Sequence, residues 1–231
     1  MKRFYKHVTV EPAEGAWQVK LDGRGIRTPG KRVQLVPSRA LAETMAMEWA
    51  DQGEEIDAAR FLLRDMADYA IDVIATGREA AIRELLPYAE TDTLCYRAEE
   101  GEALHRRQVE VWEPLLTVAE ARWNVHFERV GGIIHQPQPE ATLARLLGVV
   151  EAESDFTLAA LKTLASLSAS LVVALAAIAP DADAQALWNA ANLEEDWQAE
   201  LWGKDAEAEA RREKRFRDFA AAMRFAGLAR A

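Results

Sequence analysis

Apolar positions alternate with polar ones through roughly the first forty residues, then recur at helical spacing almost to the end of the chain. In "HVTVE" and "WQVKLD" the period is two, placing Trp17, Val19 and Leu21 on one side, and "KRVQLV" continues the strand-like pattern. Glu14-Gly15 and Asp22-Gly23 supply turns between these runs. Pro37-Ser38 marks a helix start. Ser38 is placed to cap "RALAETMAMEWADQ", where Leu41, Met45 and Trp49 recur every four residues and Gly53 ends the pattern. A small sheet with a helix packed on it is predicted.

From about Asp65 the helical period persists, with stops or bends predicted at Gly77, Pro87, Gly101, Pro114, Gly148, Pro180 and Gly203. "VHFERVGGII" is the exception and reads as a short strand or an extended connection. Short links between many helices imply a bundle. Its predicted central element is a nearly all-apolar helix from about Asp155 to Ala179. Residues 163–179 carry no charge and approach the lower length limit of a membrane span. Their Ala and Ser content, the bordering Lys162 and the lack of a second candidate favour a buried helix without membrane insertion. The predicted class is α+β. Residues 1–75 form a small β-rich domain of antiparallel sheet plus helix, and residues 76–231 form a larger, mainly helical domain of the orthogonal-bundle type.

Composition narrows the function classes. Half of the 231 residues are hydrophobic, which argues for a folded chain with a sizeable core. The 38 acidic residues outnumber the 28 basic ones, for a formal net charge of -10, and argue against a general nucleic-acid binder. The single cysteine, Cys95, permits no intramolecular disulfide and no thiolate metal cage, so a reducing compartment is expected. "MKRFYKHVTV" moves straight into strand-like sequence without the apolar run of a signal peptide and reads as the true start.

Catalytic signatures are scarce. "GIRTPGK" at 25–31 has phosphate-loop spacing, but Arg32 stands where a magnesium-binding hydroxyl is needed and a strand-like run follows where a helix should begin, so it reads as a turn. His7, His105, His126 and His135 are scattered over segments of different type, and no cofactor or metal site is predicted. Asp92 and Cys95 in "ETDTLCY" are conceivable as base and nucleophile, yet a capping acid and a small buried thiol are the structural reading, which is favoured. The basic run "RREKRFR" at 211–217 reads as a solvated helix face, backed by an inward stripe of Phe216, Phe219, Ala220 and Met223. Seven tryptophans are many for this length; most belong in the core, and an exposed one would suit a protein-binding surface.

"LEEDWQAELWG" at 193–203 raises a specific question. Helical spacing aligns Leu187, Ala191, Glu194, Gln198 and Leu201, with Trp188, Glu195 and Trp202 at the flank, so carboxylates fall in an apolar stripe where burial without a partner is costly.

Together with that stretch, "RFYKHVTV", "VKLDGRGIRTP", "LAETMAMEWADQGEEID", "TDTLCYRA" and "QVEVWEPLL" strongly resemble, in order and over nearly the whole chain, the assembly chaperone family of the F-type ATP synthase alpha subunit. One departure is Phe61-Leu62-Leu63-Arg64-Asp65, where the family has Met-Pro-Leu-Thr-Arg ahead of its Ala-Ile-Asp, here Ala70-Ile71-Asp72. The resemblance implies a small mixed domain joined to a helical bundle and no cofactor. It implies a chaperone that binds newly made alpha subunit, prevents its aggregation and gives it up when the beta subunit arrives. A bacterial, cytoplasmic member is expected, eukaryotic relatives belonging to the mitochondrial matrix. The family's acidic signature falls on Glu194 and Glu195, followed by Gln198, Trp202 and Gly203. Glu194, Glu195, Gln198 and Trp202, with Arg24, are therefore the candidate partner-binding residues. Two readings of the acids stand side by side: hydrogen bonds to helix ends or pairing with Arg24 or Arg27, or exposure in a cleft facing the client. Two further classes compete, a small hydrolase or lyase using Asp92, Cys95 or Glu195, and a general holdase without a dedicated client.

Overall fold

The computed structural model describes residues 1–132 and 134–231, and the fold is α+β. Its contacts divide the chain into two units, residues 1–81 with 154–160 and 221–231, and residues 82–153 with 161–220. Compared with a boundary expected at 75/76, the first unit extends further and recruits two distant segments. Phe156 stacks on Phe225 at 6.1 Å between ring centroids, and the Ser38 hydroxyl donates to the Leu228 carbonyl at 2.5 Å. These contacts join α7 (Asp155–Ser168) and α11 (Ala206–Ala229), by their ends, to the small unit.

In the first unit, β1 (Val8–Ala13), β2 (Ala16–Leu21) and β3 (Arg24–Gly25) form an antiparallel sheet in the order β1-β2-β3. Glu14-Gly15 and Asp22-Gly23 take positive φ throughout, the conformation that tight hairpin turns demand. The expected strand "KRVQLV" is reduced to isolated bridges, Arg27 with Val33 and Trp17 with Val36. α1 (Arg39–Ala50) is capped by Ser38, whose hydroxyl accepts from the Leu41 amide at 3.0 Å, and buries Leu41, Met45 and Trp49. α2 (Leu62–Tyr69) has no cap of its own: Glu48 on α1 reaches over and accepts from the amides of Leu63 and Arg64 at 2.7 and 3.0 Å. The segment that departs from the family pattern thus builds this helix start, with Phe61 buried against Trp49.

"GIRTPGK" is a turn, as read from the sequence. Asp72, in a single π turn over Ala70–Ile74, accepts from the Thr28 hydroxyl at 2.8 Å and the Gly30 amide at 2.7 Å, and pairs with Arg32 at 3.0 Å. Desolvation would raise its pKa, but these bonds outweigh that and hold it low. A side chain at Gly30 would come within 2.6 Å of the Asp72 carboxylate, so close approach requires glycine there.

α3 (Arg78–Arg83) follows, and the second unit then contains α4 (Pro87–Glu90), β4 (Tyr96–Arg97), α5 (Ala103–Trp123), β5 (Val130–Gly131) and α6 (Glu140–Glu151). β4 and β5 pair in parallel, which realises the extended reading of "VHFERVGGII", although Ile133 lies outside the described residues. Pro114 and Gly148 do not stop helices: they lie inside α5 and α6. Arg97 and Arg129 share Glu113, and Arg129 also pairs with Glu120, so two carboxylates on α5 secure the short parallel pair.

The expected single helix from Asp155 to Ala179 is two, α7 and α8 (Leu171–Ala177). Ala169 adopts φ 49°, and Ser170 caps α8 by accepting from the Val173 amide at 2.9 Å. Leu171–Leu175 are buried without interruption, so α8 is central to the second unit. Among the described residues no helix is long and apolar enough to cross a membrane. α9 (Ala184–Ala191) and α10 (Leu193–Trp202) follow, with Trp112 of α5 donating to the Ala190 carbonyl at 2.7 Å.

Candidate functional site: a charged groove along α10

The stripe drawn through Leu187, Glu194 and Leu201 assumed one helix, and the chain breaks it. Asn192 closes α9 by donating both its backbone and side-chain N–H groups to the Trp188 carbonyl, and α10 starts anew at Leu193. Glu194, Glu195 and Asp196 consequently stand in the first turn of α10, where the helix dipole favours negative charge. They avoid the cost of a buried stripe: Glu194, Glu195 and Gln198 are exposed, and Leu193 is the residue that buries itself. The N-terminal placement is the physical reason why an acidic cluster can stand here.

The two acids part company. Glu194 accepts from the Gln108 side-chain amide at 2.7 Å, and that buried Gln108 in turn accepts from the Ala98 amide at 2.8 Å. This is a positioning chain from α10 through α5 to the end of β4. Glu195 instead lines a groove of about 870 Å³, bounded by α5, α9, α10 and α11. Gln198 and Trp202 line it too. Its ion pairs include Arg107, which holds Glu200 with two bonds of 2.7 and 3.0 Å, and Arg212, which holds Asp196 at 2.7 Å. Glu195 meets Arg215 at 3.8 Å, a looser pair, and its side chain is 61% exposed. Burial pushes the Asp196 carboxyl up, opposed by Arg212. At the end of α10, Trp202 is 78% and Leu201 58% exposed before Gly203 stops the helix.

The predicted residues are therefore brought together only in part. Glu195, Gln198 and Trp202 share the groove, Glu194 is turned away to Gln108, and Arg24 lies on β3 in the first unit, lining a different cavity. The acids take Gln108 and Arg215 as partners, in place of the Arg24 or Arg27 expected from the sequence. Sequence reasoning missed Arg107, Asp196, Glu200, Arg212 and Arg215. The signal available was the basic run at 211–217: a wholly solvated face does not account for it, because Arg212 and Arg215 pair with α10 and Arg215 also donates to the Leu167 carbonyl at 2.9 Å.

Asp92 and Cys95 are committed elsewhere. Both are fully buried. Asp92 accepts from the Leu94 amide at 3.1 Å and from the Val172 amide at 2.9 Å, tying the 3-10 turn at Thr93–Cys95 to the start of α8. Burial pushes the Asp92 carboxyl up to about 6, against hydrogen bonds from Val172, Ser170 and Leu94. Burial, and then the neighbouring Asp92 charge, also push the Cys95 thiol up, so the reactive thiolate is disfavoured. Among the described residues no group of three or more His, Cys, Asp or Glu side chains is placed to hold a metal ion.

Asp92→Ala is expected to destabilise the second unit by about 2–5 kcal/mol, since it strands two buried amides. The Asp92 pKa is raised from 3.8 in the unfolded chain to about 6 in the fold. Its contribution is therefore complete below the unfolded value and declines as pH rises through the folded one. The gap between wild type and variant should narrow by on the order of 1 kcal/mol between pH 5 and pH 8. Urea unfolding at the two pH values checks this.

Comparison with known proteins closes the case for the family. Residues 2–120 match the family described as ATP12 chaperone protein. The crystal structure of Atp12 from Paracoccus denitrificans is similar with a TM-score of 0.93 and 37% sequence identity, over 99% of this chain and 98% of that one. That of a presumed chaperone of Agrobacterium tumefaciens reaches 0.94 at 38% identity, over 98% and 85%. "Protein atp12, mitochondrial" of Schizosaccharomyces pombe is 24% identical over 214 residues, 87% of this chain and 74% of that protein. With the family match over more than half its length and these relatives aligned along nearly all of it, the chain belongs to the ATP12 chaperone protein family.

Proposed function

We propose that this protein is an assembly chaperone of the F-type ATP synthase that binds the unassembled alpha subunit, prevents its aggregation and is displaced by the beta subunit. The observation that carries the reading is the α10 groove, with an exposed Trp202 at one end and the loosely paired Glu195 within it. A large aromatic left exposed beside a groove is the kind of anchor on which protein interfaces concentrate their binding energy. Glu195 is the acid we assign to the client. A basic group of the client can replace Arg215 without stranding a buried charge, because both partners are already partly in water. Glu194 is assigned to positioning α10 through Gln108.

Release by competition suits this geometry. A groove held by one aromatic anchor and solvent-screened pairs gives a transient complex, and a permanent subunit interface is larger and more apolar. The hydrolase or lyase reading loses support because Asp92 and Cys95 are buried in structural roles and Glu195 is paired with arginine in an open groove. The single buried thiol and the family's bacterial members accord with a reducing compartment such as the bacterial cytoplasm.

Light scattering of alpha subunit diluted from denaturant tests the reading. Equimolar chaperone should suppress the aggregation of alpha and leave that of an unrelated aggregating protein unchanged. Equal protection of both would support a general holdase instead.

A further inference from the structure

We propose that the small unit carries a second binding site, on the sheet side of α1, which takes an acidic peptide segment containing an apolar side chain. The site is a cavity of about 510 Å³, within the range of pockets that hold small ligands or single side chains. Its inner wall is apolar: Leu21, Tyr5 and Trp49 are buried there, and Tyr5 meets Trp49 edge to face at 5.6 Å. Phe4 forms a rim that is 63% exposed, packed edge-on against Tyr5 at 5.3 Å. An aromatic held in water beside a preformed apolar wall is a surface that gains by being covered.

The charge of the rim selects the occupant. Arg24 and Arg27 both line the cavity, and neither forms an ion pair among the described residues. Among the described residues the Arg27 guanidinium donates only to the Lys31 carbonyl, at 2.9 Å. The carboxylate that lines the same cavity, Asp22, is already engaged with the backbone amides of Lys6 and His7, at 2.8 to 3.2 Å, and those bonds hold its pKa low. Two arginines are thus left without an ion-pair partner among the described residues, in a chain whose net charge is -10 and whose groove arginines on α5 and α11 are paired. A ligand that places an apolar side chain in the cavity and carboxylates over Arg24 and Arg27 completes the site. Nucleic acid fits less well: Tyr5 and Trp49 are buried edge to face, which leaves Phe4 as the exposed ring of the cavity, and base stacking along a strand needs successive open rings.

This inference is independent of the alpha-subunit reading and can fail or stand without it. The test is an amide NMR titration of the full chain, following Gly25 and Ile26, with the acetylated, amidated pentapeptide Gly-Glu-Phe-Glu-Gly. Saturable shifts are expected at both residues. Replacing both Glu by Gln in the peptide, or Phe by Gly, should weaken binding at least about tenfold. Arg24→Ala with Arg27→Ala should do the same, while leaving the thermal melt within a few degrees, because both side chains are exposed. Equal binding of the Gln peptide would overturn the proposal, as would equal shifts from sodium glutamate alone or from adenosine monophosphate. So would the absence of any shift at millimolar peptide.

Discussion

Trp49→Arg is expected to abolish the folded state of the small unit, a larger loss of stability than Asp92→Ala or any substitution in the α10 groove should produce. Trp49 is 6% exposed, packed against Phe61 at 4.4 Å and Tyr5 at 5.6 Å between ring centroids. Losing a buried indole costs about 3–5 kcal/mol before any charge enters. The incoming guanidinium would also meet charges of its own sign. Arg64 lies 4.1 Å from the centre of the Phe61 ring and 5.7 Å from that of Trp49, and Arg3 lies 4.7 Å from that of Tyr5. The nearby acid, Glu48, already caps α2 through the Leu63 and Arg64 amides. An unpaired buried charge therefore adds to the lost packing, and the sum approaches the whole stability of a small domain, about 5–15 kcal/mol. Near-UV circular dichroism with a thermal melt checks this. Insolubility, or loss of the first unit's cooperative transition, is expected; Trp49→Phe should lower the melt by only several degrees. A soluble Trp49→Arg protein melting like wild type would mean that the Leu41, Met45 and Trp49 face is not the core of this unit.

Glu195→Lys should have the largest effect on function with little effect on fold. The side chain is 61% exposed and its pair with Arg215 spans 3.8 Å, so its loss should change stability by less than about 1 kcal/mol. The substitution, however, adds a cation beside Arg212 and Arg215 to a groove that Arg107, Lys204 and Arg211 also line. If a basic group of the client docks there, attraction becomes repulsion and affinity should fall by roughly tenfold or more. Glu194→Lys would separate the roles assigned to the neighbouring acids. It removes the acceptor of Gln108, so its effect should appear first in the melting temperature. Titrating labelled alpha subunit with each variant, beside a thermal melt, checks both. Wild-type affinity in Glu195→Lys would remove the groove from the account of client binding.

Local signals carried much of the fold. The hairpins at Glu14-Gly15 and Asp22-Gly23, the Ser38 cap and the Leu41, Met45 and Trp49 stripe are all settled by residues within a few positions of one another, and all appear as read. Where the reading failed, longer-range contacts or the exact break points decided. "KRVQLV" has strand chemistry but finds only isolated bridges. Ala169 and Ser170 split the apolar run that looked like one helix, with Thr93 donating both its backbone and side-chain protons to the Ala169 carbonyl. Pro114 stays inside α5 despite its missing N–H.

The candidate site was legible as a string and not as a surface. The run from Leu193 to Gly203 could be singled out, but its surroundings depended on the break at Asn192, beyond which Glu194, Gln198 and Leu201 are exposed while Leu187 before it is buried. Distinguishing Glu194 from Glu195 required Gln108 and Arg215, which lie 86 positions before Glu194 and 20 after Glu195 along the chain. No periodicity within the segment encodes such partners. That Arg24 and Arg27 form no ion pair among the described residues was equally invisible, because it is a property of what surrounds them.

Size-exclusion chromatography of this protein mixed with freshly refolded alpha subunit, with and without beta, shows whether it holds alpha and gives it up. A complex with alpha that dissolves when beta is added is expected, the chaperone returning to its free elution volume. No complex under conditions that keep alpha soluble, or a complex that persists unchanged in the presence of beta, would contradict the proposed function.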